Sequence, residues 1–232
     1  MWQGTINEYR IIRLTRQLAG VLIPVVALAV SFLSCTSGGE PKSGPFSKIS
    51  AVLQADSCDD PDANIHCMFT GMPPELNNMM NIADENEPGE RLVIKGVFYK
   101  SDGKTPEPGV VLYAYHTDHT GHYSKKGNET GVQKWHGYLH GWCKTGADGQ
   151  YEIHTIRPAR YPDNSMPAHI HMAVKTGDRA FYITDFVFRD DELVNDRYLK
   201  SIRGQVGGSG VVDLKRTAAG DWTGERNIIL LY

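Results

Sequence analysis

Residues 166–171 have the sequence Met-Pro-Ala-His-Ile-His, which places two histidines two positions apart. Side chains alternate between the two faces of a β-strand, so in a strand His169 and His171 point the same way while Ile170 points into the opposite layer. The stretch therefore predicts a strand that packs apolar residues on one face and presents two parallel imidazoles on the other. Two such imidazoles form half of a metal site.

Two tyrosines are candidates for the other half. Tyr161 precedes a proline, and Tyr123 follows Gly121-His122. If both reach the imidazoles, two neutral nitrogens and two phenolates form a ligand set that suits a hard, high-charge cation such as ferric iron better than zinc. A free phenol has a pKa of about 10, and coordination to a cation gives it a reason to ionise. The pair of histidines alone is equally compatible with copper or zinc, and each tyrosine alone with a loop aromatic.

Short segments of alternating polarity, separated by turn residues, predict an all-β fold of two packed sheets. We expect a two-sheet sandwich of the immunoglobulin-like or transthyretin-like kind over residues 89–232, preceded by an irregular N-terminal arm over residues 51–88 with one helical turn at Glu75–Ile82. Asp190–Ile202 is the only segment with the pattern of a helix of more than one turn, so we expect at most one short helix. The predicted strands are Arg91–Tyr99, Val110–His116, Gly141–Lys144, Gln150–Ile156, Ala168–Val174, Ala180–Phe188, Val211–Leu214 and Asn227–Leu231.

Length and charge restrict the class of protein. The chain has 232 residues, of which 41% are hydrophobic, and a formal net charge of −3. This composition supports one sizeable core, and it lacks the basic excess of a nucleic-acid-binding protein.

The N-terminus has the pattern of an export signal. Three arginines precede an apolar run at residues 18–33: Arg10, Arg13 and Arg16. The sequence Phe32-Leu33-Ser34-Cys35 then resembles a bacterial lipobox, in which Cys35 is lipidated after cleavage. We predict a lipoprotein signal peptide over residues 1–34, a flexible tether over residues 35–50 and a membrane anchor at Cys35, on the periplasmic face or the cell surface.

A permanent membrane helix is the alternative interpretation of the apolar run. The run is shorter than the roughly 20 residues of a spanning helix and contains Pro24, so the signal peptide is favoured. A translation start at a residue later than Met1 is a further alternative for this segment.

The cysteines agree with export. Cys58 and Cys67 could close a small loop by a disulfide in an oxidising compartment. Cys143 is left over and is predicted to be a small buried apolar residue.

Several motifs together resemble the intradiol ring-cleavage dioxygenases of the protocatechuate 3,4-dioxygenase and catechol 1,2-dioxygenase type. They keep the family's order and spacing from about Glu90 to Val194. The matching segments are Gly109–Asp118, Gly121-His122-Tyr123, Asp148–Tyr151, Thr155–Pro158, Tyr161-Pro162 and Pro167–His171.

The resemblance implies a chemistry and a role for four residues. It implies a non-haem Fe(III) site with Tyr123 and His169 as equatorial ligands and Tyr161 and His171 as axial ligands. A catechol would displace Tyr161, whose released phenolate can act as a base. The products would be muconate-type diacids formed from the catechol and dioxygen. The resemblance also implies the sandwich fold and allows an oligomer.

Two positions depart from the family's pattern. Met166 stands where an arginine usually precedes the Pro-Ala-His-Ile-His motif, and Asp185 stands in place of a glutamine. We predict that Arg160, or less favourably Arg157, supplies the missing cation. The departures also support an alternative function, a non-catalytic exported binding lipoprotein that retains the fold.

The segment from residue 116 to residue 140 is rich in histidine. It contains His116, His119, His122, His136 and His140. A second metal site is one interpretation. The favoured one is that these residues shape and close a pocket over the iron, because loops on a rigid scaffold commonly carry recognition groups.

Overall fold

The computed structural model of this protein describes residues 58–231. Within that range the regular structure is almost entirely β, and a 3-10 helix at Ile65–Phe69 lies ahead of it. The strands are β1 (Met79–Asn81), β2 (Arg91–Tyr99), β3 (Val111–His116), β4 (His140–Lys144), β5 (Gln150–Ile156), β6 (His169–Thr176), β7 (Arg179–Phe188), β8 (Val211–Val212), β9 (Lys215–Arg216), β10 (Trp222–Glu225) and β11 (Ile228–Ile229), and the helices are α1 (Gln133–His136) and α2 (Asp196–Ser201).

The strands form two mixed sheets. The first has the order β1-β5-β2-β10-β9, and β11 also pairs with β2. The second has the order β4-β3-β6-β7-β8, in which only β7 and β8 run parallel. The predicted all-β sandwich is thus confirmed.

The second sheet uses its two faces differently. Ile170 and Met172 of β6 point inward and pack in the main core with Ile94 of β2 and Ile153 of β5. On the outer face, Ala173 packs in a second cluster with residues of the N-terminal arm, of β3 and of the loop between β3 and β4: Cys67, Met68, Phe69, Tyr113 and Val132. Alternation along β6 therefore directs the histidine-bearing face away from the core.

Two local predictions differ from the structure. The helical turn at Glu75–Ile82 is wrong, because Met79–Asn81 is an edge strand paired in parallel with β5. The helix predicted at Asp190–Ile202 is limited to α2, since Asn195 accepts hydrogen bonds from the backbone at 197 and 198 and so caps the helix there. The acidic residues before this cap bind arginines instead of opening a helix.

The cysteines lie as the sequence suggested. Cys58 and Cys67 form a disulfide with their Cα atoms 5.4 Å apart. Cys143 is free and buried in the core. Residues 58–231 contain no helix with the length and apolar character needed to cross a membrane. The predicted signal peptide, Cys35 and the tether fall outside the described residues.

Candidate metal centre

Strand β6 presents both imidazoles of the predicted site on one face. Nδ1 of His169 lies 2.7 Å from the carbonyl oxygen of Pro167. Nδ1 of His171 lies 3.2 Å from a carboxylate oxygen of Asp185. Each ring is therefore oriented by an oxygen behind it, and its Nε2 atom points forward to the same place.

Tyr123 and Tyr161 reach the histidines from two loops that are hydrogen-bonded to each other. One loop follows β3 and the other joins β5 to β6. The hydroxyl of Thr117 donates to the carbonyl oxygen of Ala159 at 2.7 Å. The backbone N–H of Ala159 donates to the carbonyl oxygen of Asp118 at 3.1 Å.

Gly121 makes the close approach of the two loops sterically feasible. Its φ angle is +87°, and a Cβ atom added there would lie 2.1 Å from the carbonyl oxygen of Arg160. A glycine is therefore required between the loops that carry Tyr123 and Tyr161.

Four side-chain atoms converge at the end of these loops. The hydroxyl oxygens of Tyr123 and Tyr161 are 2.7 Å apart. The Tyr161 oxygen lies 3.1 Å from Nε2 of His169 and 3.3 Å from Nε2 of His171. The Tyr123 oxygen lies 2.9 Å from Nε2 of His171, and the two Nε2 atoms are 3.0 Å apart. The structure thus brings together all four residues that the sequence predicted as ligands.

The chemistry of this cluster fits a metal cation. Because Nδ1 of each histidine faces an oxygen acceptor, we assign the ring proton to Nδ1 and a lone pair to Nε2. The two Nε2 atoms are 3.0 Å apart, and neither has a proton to donate to the other. A cation between them would bind both, and it would also give the adjacent phenols a reason to ionise.

Burial keeps the two phenols and the imidazole of His169 neutral. It raises the pKa of both Tyr123 and Tyr161, since an ionised phenol is poorly solvated there. Burial, together with the neighbouring His171, lowers the pKa of His169 to about 4. Although burial also opposes ionisation of Asp185, its attraction to His171 holds the pKa of that carboxyl below its ordinary value. The imidazole of His169 is therefore in the neutral form that ligates metals.

Comparison with known proteins identifies the family. A family model described as Dioxygenase matches residues 67–221, more than half of the chain. The chain belongs to the intradiol ring-cleavage dioxygenase family. Catechol 1,2-dioxygenase 1 of Acinetobacter lwoffii is 32% identical over 128 residues, covering 48% of this chain and 40% of that protein. The chain therefore spans about two fifths of the length of this curated relative.

Solved structures of other intradiol dioxygenases share the fold. The 3-chlorocatechol 1,2-dioxygenase of Rhodococcus opacus superposes with a TM-score of 0.51 at 21% identity, over 69% of this chain and 67% of that one. The intradiol ring-cleavage dioxygenase of Tetranychus urticae gives 0.50 at 17% identity, over 68% and 89%. At these identities the likeness concerns architecture, and it agrees with the two-sheet sandwich.

In this dioxygenase-family protein an aromatic stack that the sequence did not reveal supports the cluster. The Tyr115 ring stacks on His171 with centroids 4.6 Å apart and on His136 with centroids 3.6 Å apart. Tyr113 contacts Nδ1 of His136 through its hydroxyl at 3.0 Å. The alternation of Tyr113 and Tyr115 was visible in the sequence, but the pairing of Tyr115 with His171 across β3 and β6 required the strand register.

Arg160 lies next to Tyr161 in sequence, but carboxylates hold its guanidinium. Nε and Nη2 bind the two oxygens of Asp191 at 2.9 Å and 2.8 Å, and Nη1 binds Glu192 at 2.8 Å. Arg157 binds Asp190 in the same two-point manner. The two arginines considered as replacements for the cation at the position of Met166 thus have carboxylate partners of their own.

The histidine-rich segment divides between the core and the surroundings of the site. Both nitrogens of His116 have partners, the Thr117 carbonyl at 2.7 Å and the Thr155 hydroxyl at 2.6 Å. Burial lowers the pKa of His116 to about 4, so its ring is neutral inside the protein. His136 instead joins the aromatic stack, in keeping with a role for this segment in shaping the site.

Proposed function

We propose that this protein is a non-haem Fe(III) dioxygenase that cleaves a catechol-type ring between its two hydroxylated carbons to a muconate-type diacid. The observation that carries the proposal is the convergence of Tyr123, Tyr161, His169 and His171 on one point in a member of this family. Two nitrogen and two phenolate donors supply two negative charges, which suits a trivalent ion.

The residues of the cluster have separable tasks in this reaction. When bound, ferric iron would supply Lewis acidity and a template for the substrate. His169, His171 and Tyr123 would hold the ion throughout, since β6 and the Gly121 loop fix them. Tyr161 would exchange with the catechol. Because burial raises the pKa of Tyr161, its phenolate would be a good base and would take a proton from the substrate.

A reconstitution experiment tests the proposal. The full chain, purified and loaded with Fe(III), is expected to show the red to burgundy absorption of tyrosinate-to-iron charge transfer, to change colour with catechol and to consume oxygen as the diacid forms. His169→Ala should abolish metal binding, and Tyr161→Phe should weaken the absorption and remove turnover. His119→Ala changes an exposed histidine outside the cluster and should have no effect.

The opposite outcome distinguishes the alternative function. A colourless protein that binds catechol without oxygen uptake would contradict the dioxygenase proposal and support the non-catalytic binding lipoprotein. Tight binding of zinc or copper in place of iron would also contradict it.

We propose further that the protein is exported and anchored through a lipid on Cys35. The support is the charged, apolar and Leu-Ser-Cys pattern of residues 10–35, together with a disulfide, which is typical of oxidising compartments. In a bacterial host, wild type should fractionate with membranes and incorporate labelled fatty acid. Cys35→Ala should lose the label, and a labelled Cys35→Ala protein would contradict the anchor.

A further inference from the structure

We propose that Asp185 is a positioning residue that sets the electron-donating strength of His171 and completes the charge balance of a trivalent ion at the cluster. The proposal rests on the proposed function, because it concerns the same site. Asp185 stands in place of a glutamine in the family's pattern, and in the structure its carboxylate is paired with His171.

The position of Asp185 depends on an irregularity in the second sheet. His169 pairs with Val187 and Met172 pairs with Ile183, so the register between β6 and β7 shifts by one residue at His171. The shift places two residues of β7, at 184 and 185, opposite His171. A bulge of this kind commonly re-aims a side chain beside a functional site.

A glycine-rich loop holds the bulge in place. The hydroxyl of Thr184 contacts the carbonyl oxygens of Val206 at 2.9 Å and Gly208 at 2.8 Å. A Cβ atom added to Gly210 would lie 2.0 Å from the backbone oxygen of Asp185. The loop therefore fixes the backbone at Asp185, and with it the direction of the carboxylate.

Asp185 contacts the ring nitrogen of His171 that faces away from the cluster. Its oxygen lies 3.2 Å from Nδ1, whereas the cluster is formed around Nε2. One Asp185 oxygen and one nitrogen from each of His169 and His171 lie within 4.8 Å of one another, so the carboxylate is close enough to act electrostatically on a bound ion. A carboxylate that accepts the second N–H of a ligating histidine fixes its tautomer and raises its basicity.

The negative charges around the cluster favour a trivalent ion. Two phenolates and the Asp185 carboxylate bring three negative charges to the neighbourhood of the cluster. An amide at this position would keep the hydrogen bond to Nδ1 but supply only part of that donor strength and none of the charge. The chain has Met166 where an arginine usually stands. The cation that interacts electrostatically with Asp185 is the buried Arg226, whose guanidinium donates to the carbonyl oxygens of Thr184 and Gly207, behind the cluster.

The test compares metal binding in the full-length wild type, Asp185→Asn and Asp185→Gln. Both amides retain an oxygen acceptor for Nδ1 and remove the charge, and the longer glutamine covers the case in which the asparagine variant fails to fold. We expect Fe(III) affinity to fall about 10- to 100-fold, with a smaller fall for Zn(II). The tyrosinate-to-iron absorption should move to longer wavelength, because a more electron-poor ion lowers the energy of the transition.

The control is Asp178→Asn, which removes an exposed carboxylate from the turn that joins β6 to β7. Its Fe(III) affinity and absorption should match wild type. Unchanged absorption and affinity in a folded amide variant, or equal losses for Fe(III) and Zn(II), would overturn this proposal while leaving the dioxygenase proposal intact. Failure of wild type itself to bind iron would overturn the proposed function, which is a separate outcome.

Discussion

Arg160 lies next to Tyr161 in sequence, and its guanidinium pairs with the carboxylates of Asp191 and Glu192. The Asp191 side chain is only 3% exposed, and its oxygens also accept backbone N–H groups of Ala168 and Leu193. Arg160 therefore neutralises a buried carboxylate that braces the chain one residue before His169. Adjacency to Tyr161 could be read from the sequence, whereas the carboxylate partners, some thirty residues away, could not.

Replacing Arg160 by alanine should mainly destabilise the fold. It leaves the Asp191 carboxylate without its charged partner, so we expect a loss of about 2–3 kcal/mol in the free energy of unfolding, measured in urea. Arg189→Ala is the matched control, because its pair with Asp213 is largely exposed and should contribute less than about 1 kcal/mol. Equal losses in both variants would contradict this assignment.

Asp118 should make stability depend on pH. Although burial opposes its ionisation, hydrogen bonds from Ser124 and Thr120 lower the pKa of Asp118 from 3.8 to about 2. A lowered pKa stabilises the fold above pH 3.8, and this contribution disappears as the pH falls through 2. As the pH falls from 3.8 to 2, the free energy of unfolding of wild type should therefore decrease by roughly 2 kcal/mol more than that of Asp118→Asn.

Unfolding curves at several pH values measure this difference. Asp62→Asn alters an exposed carboxylate and serves as the control, with a pH profile like that of wild type. Parallel profiles for wild type and Asp118→Asn would contradict the proposed linkage.

Among the elements, strands were predictable where alternation was strong. Arg91–Tyr99 and Gln150–Ile156 begin and end as predicted, because apolar residues at every second position leave one choice of buried face. The short strands Lys215–Arg216 and Trp222–Glu225 were missed, since neither has a long enough pattern. The bulge at His171 was equally hidden, because it arises from the pairing of two strands.

Gly121→Ala should weaken metal binding. The new Cβ atom would press on the Arg160 carbonyl at 2.1 Å and push apart the loops that carry Tyr123 and Tyr161. We expect metal affinity to fall at least 10-fold, measured by titration with Fe(III), because a displaced ligand loses its coordination.

Gly127→Ala is the control for this change. Gly127 also has a positive φ angle, +94°, but nothing lies within 4 Å of an added Cβ atom. Its alanine variant therefore carries a similar backbone penalty of about 1 kcal/mol without the clash. Comparable losses of metal affinity in both variants would contradict a spacing role for Gly121.

At the scale of the whole molecule, the N-terminal arm is connected to the site. The Asp59 side chain accepts from the backbone of Gly131 at 3.0 Å and from Lys134 at 2.8 Å. These contacts hold the segment of α1, whose His136 stacks on Tyr115 beside His171. The convergence of the four ligands was anticipated through the family resemblance, whereas this outer layer required three-dimensional contacts between segments some seventy residues apart.

Removing the disulfide should loosen this layer. The double variant Cys58→Ser/Cys67→Ser frees a short loop, so we expect a loss of about 2–3 kcal/mol of stability from loop-closure entropy and a decrease in Tm of roughly 5–10 °C. Calorimetry with and without a reducing agent measures both. Wild type should respond to the reductant and the double variant should not; a wild type with the same Tm in both conditions would contradict the prediction.

The outward position of the histidines has an evolutionary consequence. In β3 and β6 the residues that fill the interior and those that face the ligands alternate, so a substitution on one face leaves the packing of the other face in place. Lineages could exchange the covering arm and loops, and so drift in substrate range, without risking foldability at each step. An architecture of this kind lets new specificities arise on an inherited scaffold.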